Sequence, residues 1–173
     1  MRAERRSLRR RIAAATVWAG MAAAAAVAAT GLAVAQGTND VHIVHQHTDN
    51  MAGIAARMFR FEPDILKIAP GETVVFLNSV RSHTVRTQQP LWPDGVDPLS
   101  IRGKARSEVT FDRPGLYGIT CARHGRYGMT MLIAVGAEGL AEAAELDTAG
   151  IPASDLAKAA FARQARALLT AEQ

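Results

Sequence analysis

Residues 114–129 read PGLYGITCARHGRYGM. A Pro-Gly turn opens a short apolar run, and the run ends at Cys121, the only cysteine in the chain. Tyr117, Ile119 and Cys121 are spaced by two, so on a strand all three point to one side. That side carries an aromatic and a branched aliphatic, so it faces the interior. The strand therefore presents a thiol at its end, above a packed base. His124 and Met129 follow in the spacing Cys-x2-His-x4-Met, before the apolar run 131–135 rejoins the sheet. One tight loop carries a thiol, an imidazole and a thioether.

Thiolate with imidazole suits zinc, copper or iron, whereas a thioether is soft and selects copper. A structural zinc site wants four strong Cys or His ligands, and a single cysteine leaves it undersupplied. A mononuclear copper site takes two His, one Cys and a weak axial Met. Three of these lie in the loop. His83, in NSVRSHTVRT (78–87), is the candidate for the fourth, because it follows one strand and begins the next and so reaches the same end of a sandwich. Taken singly, each residue has a plainer reading as an inert buried Cys, a core Met or a surface His. The set, with its strand lead-in, favours a metal site.

Outward from the loop, the text stays strand-like. Residues 59–78, FRFEPDILKIAPGETVVFLN, alternate at Phe59 and Phe61, continue through Ile65, Leu66 and Ile68, and turn at Pro70-Gly71 into a β-branched and aromatic run over 73–77. Further strands are expected near 41–45, 83–86, 107–111, 116–121 and 131–135. Short strands at close intervals between turn signals predict an all-β sandwich or barrel. After Gly136 the texture becomes Ala- and Glu-rich. Ser154 is a candidate N-cap, and Ala157, Phe161, Ala165 and Leu168 share one helical face. Two C-terminal helices packed on the same domain are predicted over 138–173, beside a sandwich over 36–137.

The first 35 residues are different in kind. Six arginines precede an Ala-rich apolar run that closes on Ala33-Val34-Ala35, the pattern of a secretory signal peptide with its cleavage site. An uncleaved anchor is the competing reading, since the run is long enough to span a bilayer. Alanine is only weakly apolar, and the small-residue exit fits cleavage. Of the 20 basic and 16 acidic residues, this segment holds six and one, so the remainder carries 14 and 15, a net of −1. The basic pI of the whole chain thus belongs to the leader and implies neither nucleic acid nor an anionic membrane as partner. The remaining 138 residues suffice for one domain, exported to the periplasm, in which a lone thiol is either inert or occupied.

The stretches FEPDILKIAPGETVVF (61–76), SHTV (82–85), WPDG (92–95), PGLYGITCARHGRYGM and LIAVG (132–136) resemble the cupredoxins, the type 1 blue-copper proteins, and among them the pseudoazurins. The likeness runs from about Val41 to the C-terminus. The two C-terminal helices separate the chain from plastocyanin, which shares the loop spacing. The resemblance implies a Greek-key β-sandwich and one copper per chain, with His83, Cys121, His124 and Met129 as ligands and His124 as the exit for electrons. It implies a monomeric electron carrier with redox-protein partners, which in this family include the nitrite and nitrous-oxide reductases of denitrification. Two departures stand out: Thr84 replaces the usual Asn after the first ligand His, and Arg123 replaces the usual Pro two residues after the Cys.

Catalytic metal sites normally keep an open position, and four protein ligands leave none. No paired carboxylates suggest acid/base work, so the expected function is one-electron transfer and not enzymatic catalysis. Arg81, Arg86, Arg123 and Arg126 flank the ligands and suggest an electropositive docking rim, or else four solvated side chains. His42, His45 and His47 tempt a second metal, but no carboxylate or Cys completes a set, and solvated imidazoles are the preferred reading. Two alternatives remain: a periplasmic copper carrier or storage protein, and a metal-free interaction sandwich.

Overall fold

The computed structural model describes residues 39–45 and 58–170. The expected leader, 1–35, and His47 lie outside the described residues. Seven strands follow one another: β1 (Asn39–His45), β2 (Phe59–Glu62), β3 (Ile65–Ile68), β4 (Glu72–Thr87), β5 (Ser100–Phe111), β6 (Gly115–Thr120) and β7 (Thr130–Val135). Two helices close the chain, α1 (Gly136–Ala144) and α2 (Asp155–Thr170). The strands pair in the order β2-β1-β4-β6-β7-β3, with β5 added to β4. β1 runs parallel to β4 and β3 parallel to β7, while the remaining pairs are antiparallel. The mostly-β sandwich with two C-terminal helices predicted from the sequence is the architecture observed.

β4 is where the structure departs from expectation. The separate strands expected over 73–77 and 83–86 are one strand of 16 residues. The intervening Asn-Ser-Val-Arg-Ser reads as a polar loop, and Asn78 does adopt a left-handed φ of 65°. Pairing with β5 nonetheless resumes beyond it, with a register shift between Ser79 and Thr84. A shift of this kind kinks a strand and re-aims its side chains. The first half of β4 pairs with β1, and its end, at Arg86 and Thr87, pairs with β6. β4 therefore runs from β1 to β6, and His83 sits at the last position of the irregular stretch, just before pairing resumes at Thr84. β5 is longer than expected for the same reason, since 100–102 pair with the far half of β4.

The core lies between the strands. Val41, Phe61, Val74, Phe76, Val85, Tyr117, Ile119, Met131 and Ile133 are buried together, and Cys121 and Met129 belong to the same cluster. The expected inward face of β6 is confirmed at Tyr117, Ile119 and Cys121. Trp92 and Phe111 meet the Tyr117 ring edge-on, at centroid distances of 4.7 and 4.9 Å. The Tyr117 hydroxyl donates to the Arg113 carbonyl at 2.7 Å, and burial pushes its pKa up from the ordinary phenol value. These rings form a stiff floor beneath the thiol.

β7 is buried on both faces. Met131, Ile133 and Val135 join the inner core, and Leu132 and Ala134 meet the helices. The helical face predicted for α2 is the one that packs: Ala157, Phe161, Ala165 and Leu168 are buried. Full burial of Phe161 and Leu168 contributes about 1.5–3 kcal/mol each. The Ser154 hydroxyl accepts the Ala157 N–H at 3.2 Å, the N-cap bond that starts the helix. This second core fixes α2 behind the loop that follows Cys121.

Candidate metal centre

Cys121 directly follows β6, and the chain turns at once. The Gly125 N–H bonds the Cys121 carbonyl at 2.7 Å, and a single 3-10 turn spans Gly125–Tyr127. Gly125 is confined here, because a Cβ would collide with the Thr120 hydroxyl. Gly128 caps the turn at a φ of 88°, a conformation that favours glycine. The return arm then closes on its start. The Met129 N–H bonds the His124 carbonyl at 3.3 Å, and the Cys121 N–H bonds the Met129 carbonyl at 3.2 Å. The loop is thus cross-braced by its own backbone, which fixes where its side chains point.

Three donor atoms converge. Cys121 Sγ lies 3.6 Å from His124 Nδ1, and His124 Nδ1 lies 3.2 Å from His83 Nδ1. The donor atoms of His83, Cys121 and His124 all lie within 4.8 Å of one another, and all three residues are buried. Met129 is fully buried, with its backbone bonded to Cys121 and to His124. The sequence-predicted His83 is therefore brought to the loop from β4, 38 positions before Cys121.

Spacing tests whether these residues fit a metal. Nitrogen and sulfur bound at about 2.0 and 2.3 Å to one centre, at angles of roughly 105–120°, stand about 3.2–3.7 Å apart. The two short separations observed fall in that range. Two imidazoles and a thiol form the trigonal set that suits copper. These three donors fit.

Two residues tie the site together. The Thr84 hydroxyl accepts the Ala122 N–H at 2.9 Å and reaches Cys121 Sγ at 3.9 Å. It joins β4 to the loop. Phe59, on β2, stacks on His124 with ring centroids 3.9 Å apart and an interplanar angle of 11°. It meets His83 only at 5.9 Å and a 50° tilt. Sequence reasoning missed this contact, since the alternation of Phe59 with Phe61 marks a strand and says nothing of what lies over it.

Of the flanking cations, Arg86, Arg123 and Arg126 are exposed, and Arg126 lies over the Tyr127 ring at 5.2 Å. The Arg81 side chain lies outside the described residues. His42 is exposed on β1, and the side chain of His45 is not among those described.

Residues 48–136 match the family model of copper binding proteins, plastocyanin/azurin family. The chain belongs to that family. It is 37% identical over 114 residues to a pseudoazurin-type protein of Rhizobium leguminosarum bv. viciae, covering 66% of this chain and 70% of the relative. It is 32% identical over 118 residues to the pseudoazurin of Paracoccus pantotrophus, covering 68% and 74%. The crystal structure of native pseudoazurin from Hyphomicrobium denitrificans superposes with a TM-score of 0.60 at 25% identity, covering 79% of this chain and all of that one. Family, fold and relatives agree in making the chain a cupredoxin of the pseudoazurin kind, and copper is the metal of this family.

Proposed function

We propose that this cupredoxin is a one-electron carrier, exported to the periplasm with loss of residues 1–35, and that His83, Cys121, His124 and Met129 hold its copper. The observation that carries the reading is the convergence of two imidazole nitrogens and the sole thiol of the chain in a buried cluster. When bound, copper supplies reversible exchange between Cu(II) and Cu(I). The chain's part is to hold its donors still. His83 is fixed by β4, and Cys121 and His124 are held by the braced loop and by Thr84. Donors that move little between the two charge states keep the barrier to electron exchange low. Burial also argues against the alternative of a copper carrier, which needs an open site for metal hand-over.

Docking is assigned to the exposed Arg86, Arg123 and Arg126, with Arg81 as a fourth candidate, against an acidic face on a redox protein. By family resemblance such partners include nitrite reductase and nitrous-oxide reductase.

The test is the absorption spectrum of the purified protein with Cu(II), before and after ascorbate. An electron carrier shows an intense Cys-to-copper band that ascorbate bleaches without releasing metal. A colourless complex whose copper passes readily to a chelator sinks the proposal in favour of the carrier.

A further inference from the structure

Gln164 sits in the middle of α2, on the helix and not in the sheet, yet it bonds the residue next to Met129. It is 1% exposed. Its Nε2 donates to the Thr130 carbonyl at 2.8 Å and to Asp64 Oδ2 at 3.0 Å. Its Oε1 accepts the Thr130 hydroxyl at 3.1 Å. Asp64 is held in turn by Arg163, at 2.9 Å. Thr130 is thus gripped at both its backbone and its side chain by one amide.

An amide is an expensive choice at this place. A buried polar group costs stability unless every bond is made, and an apolar side chain of similar volume fills the same space at less risk. What the amide adds is direction, because a satisfied buried network selects one arrangement over its neighbours. The rest of α2 repeats the pattern. The Ser154 hydroxyl donates to the Arg126 carbonyl at 2.9 Å. A Cβ on Gly128 would lie 3.5 Å from the Leu156 carbonyl oxygen and 3.8 Å from Ala160 Cβ, so the loop backbone rests on the helix there. The helix therefore touches the return arm at 126, 128 and 130, every second residue. Met129 lies between two of these holds and is itself buried in the inner core.

We infer that α2 is the backstop of the ligand loop and that Gln164 is a positioning residue which, through Thr130, sets how far Met129 reaches toward the metal. The inference rests on the proposed role of Met129 as a metal donor, and the experiment separates the two. Four copper-loaded proteins are compared: wild type, Gln164→Leu, Met129→Leu and the double variant. Thr130→Val, which removes only the hydroxyl, serves as a milder probe should Gln164→Leu fold poorly. The readouts are the ratio of the two Cys-to-copper absorption bands, the reduction potential, and the rate of Cu(I) loss to a chelator.

Gln164→Leu is expected to shift the band ratio and the potential in the same direction as Met129→Leu, by less. It is expected to speed copper loss about tenfold, the low end for residues that support metal ligands. Added to Met129→Leu, it should shift the spectrum no further, because its route to the metal is gone. In the metal-free protein, Gln164→Leu should also speed hydrogen exchange at the Cys121 and Met129 amides. If Met129→Leu leaves band ratio and potential unchanged, the assignment of Met129 as a donor fails. If Met129→Leu changes them while both Gln164→Leu and Thr130→Val do not, the backstop alone is overturned. Fully additive spectral shifts in the double variant overturn it as well.

Discussion

The centre is built from two arms that differ in every respect except their destination. One is a strand: His83 and Thr84 ride on β4 at the far end of a register shift, where pairing with β5 resumes at Thr84. The other is a loop: Cys121 and His124, with the proposed donor Met129, come from nine consecutive residues braced by five backbone bonds within the loop. The strand arm draws its stiffness from the sheet. The loop arm draws it from itself and from α2 behind it. Thr84 is the joint, through the Ala122 N–H. A small protein can hold donors still by either means, and here it places the thiol on the arm that is buttressed twice.

The largest expected effect comes from the loop arm. Cys121→Ser should abolish the intense visible band altogether. Circular dichroism should still show the fold, since a lone buried hydroxyl costs only about 1–3 kcal/mol. Retention of the band would mean that the thiol is not a donor and that the arms are ranked wrongly.

Charge reversal asks which arm meets the partner. Replacing Arg123 and Arg126 together with Glu should slow second-order electron transfer to an acidic partner about tenfold at low ionic strength, and the gap should close as salt rises. Arg86→Glu, on the strand arm, should have a smaller effect. Equal rates in stopped-flow measurements at low salt would remove the docking rim.

Thr84→Val unties the joint. Loss of the bond to Ala122 should lower stability by about 1 kcal/mol in denaturant titration and shift the reduction potential. A potential identical to wild type would show that the two arms hold their positions independently. Smallest is Phe59→Leu, which removes a stacked ring pair worth about 0.5–1.5 kcal/mol. Because the ring lies flat on His124 and only tilts toward His83, NMR of the loaded Cu(I) protein should show larger shifts at His124. Larger shifts at His83 would reverse the assignment of Phe59 to the loop arm.

The convergence of Cys121 and His124 was legible in the sequence because the two are neighbours in the chain and their chemistry is specific. The period of two through Tyr117, Ile119 and Cys121 also placed the thiol correctly toward the core. His83 was legible only as the missing imidazole of a set. Its strand was misread as two, since a polar run with an Asn looks like a loop, and only pairing with β5 shows otherwise. The packing face of α2 was visible at Phe161 and Leu168, which need burial. Gln164 was not, because a lone Gln on a helix carries no signal until its two partners, Thr130 on β7 and Asp64 in the turn between β2 and β3, are seen around it. Periodicity reports what is buried, and it is silent about polar contacts between elements distant in the chain.

β5 ends the pairing at β4, and among the described residues no strand lies against its other side. Arg102, Lys104 and Arg106 alternate along it and are exposed. An open strand is a template for self-association, and repeated cations blunt it. The row of charge along β5 therefore disfavours the edge-to-edge pairing of two copies that an uncharged strand in this place would invite.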